Sequence, residues 1–493
     1  MYYISTRDAA LRCTASQAIV QGLSRDGGLF LPERIPALEQ GALEKMKTMP
    51  YAERAVQVMK LYLEEFTEDE LRTYAGSAYG PDKFDTPAVA PLKRLDDGTA
   101  VLELWHGPTC AFKDMALQML PYLLTASLKK TGEEKTACIL VATSGDTGKA
   151  ALEGFRDVDR TKILVFYPKD GVSDIQKLQM VTQKGENTGV CAVIGNFDDA
   201  QTGVKRIFSD PALRERLAAD GKLLSSANSI NWGRVLPQIV YYISAYCDLL
   251  ASGAIRMGEK IDFCVPTGNF GNILAAYYAK RMGLPVGKLI CASNSNDVLT
   301  EFIRTGVYDR NRPFHATMSP SMDILISSNL ERLLYLLSGS DEAVRGYMRQ
   351  LSETGRYAVT PELHAKIQES FACGCCDEAS TAETIGRVFK ERSYLIDTHT
   401  AVAWNVLEQF RRESGSRSMS VVVSTASAFK FCASVLTALG VEKQAEGTQI
   451  LRQLSETAGW PVPKPLAALD GKKIRFTKAV QKTEMADAVM ELL

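Results

Sequence analysis

Lys113 stands where a turn meets an apolar run, in the stretch Glu103-Leu-Trp-His-Gly-Pro-Thr-Cys-Ala-Phe-Lys-Asp-Met-Ala-Leu-Gln118. Gly107-Pro108 marks the turn. Asp114 is placed to cap a helix carrying Met115, Ala116, Met119 and Leu120, which Pro121 should kink or end early. An amine held between Phe112 and a helix start is partly desolvated, and desolvation pulls a lysine below its usual ~10.4. A neutral lysine amine is the nucleophile of Schiff-base chemistry. On this segment alone a solvated lysine after a loop is the plainer reading; the rest of the chain weighs against it.

Four polar turns supply possible partners. Thr143-Ser-Gly-Asp-Thr-Gly148 follows an apolar run ending at Val141 and precedes a helical pattern. Its glycines let backbone amides approach a ligand, which suits a carboxylate, although a plain capping turn also fits. Pro266-Thr-Gly-Asn-Phe-Gly-Asn272 is neither GxGxxG nor a Walker sequence. Successive N–H groups at a helix start still form an anion nest, of a size for one phosphate. Ser424-Thr-Ala-Ser-Ala428 offers a hydroxyl for a ring nitrogen, or a helix cap. In Ser225-Ser-Ala-Asn-Ser-Ile-Asn-Trp-Gly-Arg234, Arg234 is suited to bidentate phosphate binding or to ordinary pairing.

The elements that must position these turns alternate. Short apolar runs at Ala137–Val141, Lys162–Tyr167, Cys191–Ile194, Ile261–Val265, Leu289–Ala292, Tyr394–Ile396 and Met419–Val423 are mostly followed by a turn and a helical pattern. That rhythm predicts parallel α/β sheets covered on both faces, with ligands at the carboxyl ends of the strands. Residues 1–95 read as a mainly helical N-terminal domain and 96–245 as a small α/β domain with the lysine near its start. Residues 246–465 read as a large α/β domain with a helical insertion at about 298–390, and 466–493 as a C-terminal tail. Within the insertion, Asp323–Ile326 carries the one strand signal.

Composition excludes several classes. The 493 residues are 46% hydrophobic and 23% charged with a net charge of −1, so nothing points to nucleic acid or a membrane surface. No run reaches the roughly 18 apolar residues of a membrane helix, and no signal peptide is visible at the amino terminus. Eleven cysteines, mostly single and in apolar segments, read as thiols of a reducing compartment, with Cys373-Gly-Cys-Cys376 as a solvent-side loop.

One desolvatable lysine, a monophosphate cradle, a carboxylate cradle and a hydroxyl together describe a pyridoxal 5'-phosphate site. Here the chain resembles the threonine synthase family, of the longer type with an extra N-terminal domain. The resemblance is carried by Tyr3-Ile-Ser-Thr-Arg7, Gly27-Gly-Leu-Phe-Leu-Pro32, His106-Gly-Pro-Thr109 with Phe112-Lys-Asp114, Thr143–Gly148, Phe197-Asp-Asp-Ala-Gln201, Ser229-Ile-Asn-Trp232, Pro266–Gly271 and Ser319-Pro-Ser-Met-Asp323. It departs where the family usually reads Asp-Pro-His-Thr and Thr-Ala-His. This chain has Asp397-Thr-His-Thr400 and Thr425-Ala-Ser427.

The resemblance implies the tryptophan-synthase-β-like fold (fold type II), with the cofactor between the small and large domains. It implies that Lys113 carries the cofactor, that Gly268, Asn269, Phe270, Gly271 and Asn272 hold its phosphate, and that Thr425 faces the ring nitrogen. Ser144, Asp146, Thr147 and Arg234 fall where substrate or ring contacts lie, Asp146 at a place where many relatives have Asn. His106, His315, His364 and His399 are left for secondary roles, structural by default for His315 and His364. The implied reaction is a cytoplasmic one, O-phospho-L-homoserine plus water giving L-threonine and phosphate. Two rivals stand beside it: a related phospho-lyase or dehydratase releasing ammonia and 2-oxobutanoate, and a non-catalytic phosphate-ligand binding protein. Monomer and homodimer both remain open.

Overall fold

The apolar runs assemble into two sheets in a computed structural model that describes residues 1–170, 172–195 and 197–492. The side chains of Phe197 and Asp198 lie outside the described residues, and with them the start of the Phe197–Gln201 motif. The smaller sheet is wholly parallel, in the order Ala479–Gln481, Thr188–Ile194, Thr161–Pro168, Thr136–Ala142, Lys222–Ser226. The larger runs Phe371–Cys375, Val286–Ser293, Ile261–Pro266, Ser420–Ser424, Thr99–Glu103, Leu92–Arg94, and is parallel except at its last edge. Ile139, Leu140 and Val141 are all fully buried, as are Phe263, Cys264 and Val265. Burial of both side-chain phases is why these strands read as continuous rather than alternating apolar runs.

The sheets cut across the expected chain divisions. Thr99–Glu103, placed by the sequence at the head of a small domain, pairs with Ser420–Ser424 in the larger sheet, Val101 opposite Val422. The tail strand Ala479–Gln481 forms an edge of the smaller sheet. Each is short, with at most three consecutive apolar residues, so neither shows as an apolar run.

Other local expectations are corrected. Tyr394–Ile396 is not a strand but an extended lead into the helix Thr398–Ser414. The Tyr394 hydroxyl donates to Glu103 Oε1 at 2.5 Å. Asp323–Ile326 follows the 3-10 turn Pro320–Met322 rather than forming a strand. The Asp323 carboxylate accepts from Asn294 and Asn296 at 2.7 and 3.0 Å, which holds the segment in a turn. Cys373-Gly-Cys375 lies in an edge strand, Cys373 opposite Cys291, not in a loop. Asp114 opens the helix Asp114–Leu117, but its carboxylate reaches back to the Thr109 N–H (2.8 Å) and hydroxyl (2.7 Å). Pro121 begins a second helix, Leu120–Lys130, instead of ending the first, because an early helical position needs no N–H from it.

The N-terminal segment carries the helices Ala15–Gln21, Ala42–Met46, Tyr51–Met59 and Glu68–Ala78, and also a three-stranded antiparallel sheet. In that sheet Ile4 lies opposite Leu31, so the first two motifs are partners. Fully buried Arg332 ties this sheet to the body, donating to the carbonyls of Phe30 (2.8 Å) and Ile230 (2.6 Å).

Candidate active site

A cavity of about 600 Å³ opens where the strands of both sheets end. Ala142 and Thr143, Ser226 with Asn228 to Ile230, Pro266 to Asn272 and Thr425 lie at or just past the carboxyl end of a strand and line it. Lys113 enters from the loop before its short helix, which Ala111 fastens to Ala426 by a β-bridge. Of the residues singled out from the sequence, Lys113, Ser144, Thr147, Arg234, Gly268, Asn269, Phe270, Gly271, Asn272 and Thr425 all border this cavity.

Lys113 is 9% exposed. Its Nζ donates to Ser321 Oγ at 3.2 Å, lies 3.7 Å from Asp146 Oδ2, and sits 5.6 Å from the centre of the Phe112 ring. Burial lowers the amine to about 8, Asp146 pulling it up while Lys430 and Arg234 push it down.

Asp146 differs from the expectation of a ligand contact. It lies behind the cavity wall, 3% exposed, at the start of the helix Asp146–Gly154. Its Oδ1 meets Lys430 Nζ at 2.6 Å and Gln176 Nε2 at 2.7 Å, and its Oδ2 accepts from Ser321 Oγ at 3.2 Å. Burial would raise this carboxyl, but Lys430 and Lys113 outweigh it and hold it well below the usual carboxylate range.

The 266–272 turn is held from outside. Ser327 Oγ donates to the Gly268 carbonyl at 2.7 Å, and Asn329 donates to the Asn269 carbonyl through its N–H (3.1 Å) and its amide (3.0 Å). With carbonyls tied back, Phe270 takes a left-handed conformation (φ 62) and the helix Gly271–Arg281 starts with its free N–H groups. Gly268 passes close to the Ser321 loop, since a Cβ there would lie 2.8 Å from the Ser321 carbonyl oxygen. Asn272 Oδ1 accepts from the hydroxyls of Tyr241 and Tyr242, while its Nδ2 is buried with no hydrogen-bond partner.

Arg234 lies in the first turn of the helix Trp232–Ala251 and is 3% exposed. Burial lowers its guanidinium to about 10. One Nη bonds the Ala227 carbonyl, and the Nε is buried without a partner. Two buried, unmatched donors bordering one cavity leave room for acceptors carried by a ligand.

Sequence reasoning gave no site role to Ser321, Gln176 or Lys430. Ser321 lay within a quoted motif, while Lys430 had no local signal because its partners are 321 and 284 positions away, at Thr109 and Asp146. His399 borders the cavity: its Nε2 accepts from the Ser321 N–H (3.2 Å), and its Nδ1 faces Asp397 Oδ2 (2.8 Å). His106 lies between Asp85 (2.6 Å) and Glu103 (2.8 Å), away from the cavity lining. His364 bonds the Ile303 carbonyl at 2.9 Å.

Comparison with known proteins shows the family. Residues 2–79 match the family described as threonine synthase N terminus, and 85–368 the family of pyridoxal-phosphate dependent enzymes. Threonine synthase-like 1 of Macaca fascicularis is 41% identical over 439 residues, covering 87% of this chain; the chain spans only 58% of that protein's length. Threonine synthase of Pseudomonas aeruginosa is 40% identical over 84% of this chain and 85% of its own. The PLP-bound threonine synthase from Brucella melitensis superposes with a TM-score of 0.87 at 37% identity, covering 100% of this chain and 99% of that one. The yeast threonine synthase structure gives 0.88 at 33% identity, over 99% and 98%. Its two matched regions, its relatives and its fold type II architecture place the chain in the threonine synthase family of pyridoxal-phosphate-dependent enzymes.

Proposed function

We propose that the chain converts O-phospho-L-homoserine and water to L-threonine and phosphate. The observation that carries this reading is one low-pKa lysine in a cavity that two buried donors without protein partners also border, Asn272 Nδ2 and Arg234 Nε. We assign the first, with the 268–272 turn, to the cofactor phosphate and the second to a phosphate on the substrate. The family supplies the cofactor, and the residues fit it: an orphaned amide at a helix start and a neutral hydroxyl at Thr425 across the cavity.

In this reading Gly268, Asn269, Phe270, Gly271 and Asn272 hold the cofactor phosphate, and Thr425 faces the ring nitrogen without protonating it. When bound, the cofactor supplies an electron sink for charge developing on the substrate carbons. Lys113 would hold the cofactor through its amine and is placed to move protons at Cα and Cβ; a pKa near 8 leaves it both forms near neutrality. Arg234 grips the distal phosphate and orients the Cγ–O bond. Ser144 and Thr147, beside the amino end of the helix Asp146–Gly154, take the substrate carboxylate. Asp146 acts on Lys113 rather than on the substrate. Residues 320–324 and 326–328 line the cavity from the insertion side.

Incubation of the purified chain with O-phospho-L-homoserine, following threonine and phosphate together, tests the proposal. Equal release of both supports it. A second reading is a phospho-lyase giving ammonia and 2-oxobutanoate from a similar substrate. Its products in place of threonine would decide for it. No helix among the described residues is long and apolar enough to cross a membrane; we place the activity in the cytoplasm.

A further inference from the structure

Two lysines approach the Asp146 carboxylate, and they do so unequally. Lys430 Nζ lies 2.6 Å from Oδ1, donates to the Thr109 carbonyl at 2.9 Å, and is 1% exposed. Lys113 Nζ stands 3.7 Å from Oδ2 and shares Ser321 Oγ with it. Two ammonium groups beside one carboxylate repel, and the proton is shed more readily from the amine with the weaker ion pair. We propose that Lys430 is a positioning residue that claims Asp146 as its own counter-ion, so that Lys113 is the amine left free to lose its proton and attack a carbonyl.

The surroundings support that division of labour. The charged groups acting on Lys113 are Asp146, Lys430 and Arg234, each on a different element, and His399 borders the same cavity. His399 is taken by Ser321 and Asp397. The other cavity carboxylates are committed elsewhere, Asp323 to Asn294 and Asn296, and Glu331 to Arg7. Asp146 is therefore the anion positioned to hold Lys113 charged, and Lys430 occupies it. Lys430 also anchors Thr109, in the loop that delivers Lys113.

The inference rests on Lys113 being the lysine that takes the cofactor, and its test reads that point separately. Attachment joins the uncharged amine to the aldehyde carbon as a C=N bond and releases one water, so its initial rate follows the neutral fraction of the lysine. The full-length chain, freed of cofactor, is mixed with pyridoxal 5'-phosphate across a pH series and quenched with borohydride. Label on the Lys113 peptide is then quantified by mass spectrometry. The wild type should show a midpoint near pH 8. Lys430→Gln should raise the midpoint by about one unit, slowing attachment about tenfold near neutral pH, as Asp146 turns to Lys113. Lys430→Arg should keep the wild-type midpoint. The double variant Lys430→Gln/Asp146→Asn removes both charges of the closer pair together and should return the midpoint to the wild-type value or below. It gives the reading should the single variant fail to fold. An unchanged midpoint in Lys430→Gln, or a raised one in the double variant, overturns the role of Lys430. Label on another lysine in the wild type overturns the assignment of Lys113 itself.

Discussion

The Tyr242 hydroxyl donates to Asn272 Oδ1 at 2.6 Å and so fixes which way that amide faces. Tyr241 donates to the same oxygen, which leaves Nδ2 as the branch available to a ligand. Replacing both tyrosines by Phe removes two hydrogen bonds of ~0.5–1.5 kcal/mol each and frees the amide to rotate. The double variant should bind pyridoxal 5'-phosphate about tenfold more weakly. Its affinity for pyridoxal, which lacks the phosphate, should be unchanged. Equal losses for both ligands, measured by fluorescence titration, would assign the tyrosines to packing.

His106 gives a pH dependence of definite sign. Burial pulls the imidazole down, but hydrogen bonds to Asp85 and Glu103 more than offset it and raise it to about 9. A raised folded-state value means the protonated form is favoured by folding. Its contribution is fully present below the unfolded value of ~6.5 and is lost as pH rises through about 9. Denaturant unfolding across that window should show the wild type losing stability relative to His106→Gln as pH rises. A constant difference between the two would remove His106 from the linkage.

Much of the cavity lining was legible in the sequence, because strand-end turns are local. A strand end, a Gly-rich turn and a helix start are consecutive in the chain, as at Pro266–Asn272, and their backbone amides converge wherever the fold puts them. What was hidden is what depends on distant pairing. Lys430 reads as an ordinary lysine until Asp146 is brought beside it. Asp146 itself reads as a ligand contact because its turn borders the cavity, while its carboxylate faces inward to Lys430 and Gln176. The strands Thr99–Glu103 and Lys222–Ser226 were missed for a related reason: their burial comes from neighbours, not from their own apolar content.

Arg234 offers a sharper test of the substrate end. Its buried Nε has no protein partner, and its guanidinium's hydrogen bond among the described residues is to the Ala227 carbonyl. A charged hydrogen bond is worth roughly 1.5–3 kcal/mol, so Arg234→Leu should lower kcat/KM for O-phospho-L-homoserine about ten- to a hundredfold. The absorption of the bound cofactor should stay as in the wild type, since the other anion site is untouched. Unchanged kinetics would leave Arg234 a structural residue. A lost cofactor spectrum would place it at the cofactor phosphate instead.

The reaction itself makes an isotopic claim. The cavity is bordered by Lys113 and by two buried donors without protein partners, Asn272 Nδ2 and Arg234 Nε, which suits an amino acid bearing a distal phosphate as leaving group. If phosphate departs by cleavage of the Cγ–O bond, it keeps all its original oxygens. If water then adds at Cβ, the new hydroxyl comes from solvent. In oxygen-18 water, the label should therefore appear in the threonine hydroxyl and be absent from the released phosphate. Hydrolysis at phosphorus would reverse the pattern, labelling phosphate and releasing homoserine. A deaminating lyase would give ammonia and 2-oxobutanoate with no labelled threonine. Mass spectrometry of both products from one reaction separates the three, and either of the last two patterns as the main outcome would overturn the synthase reading.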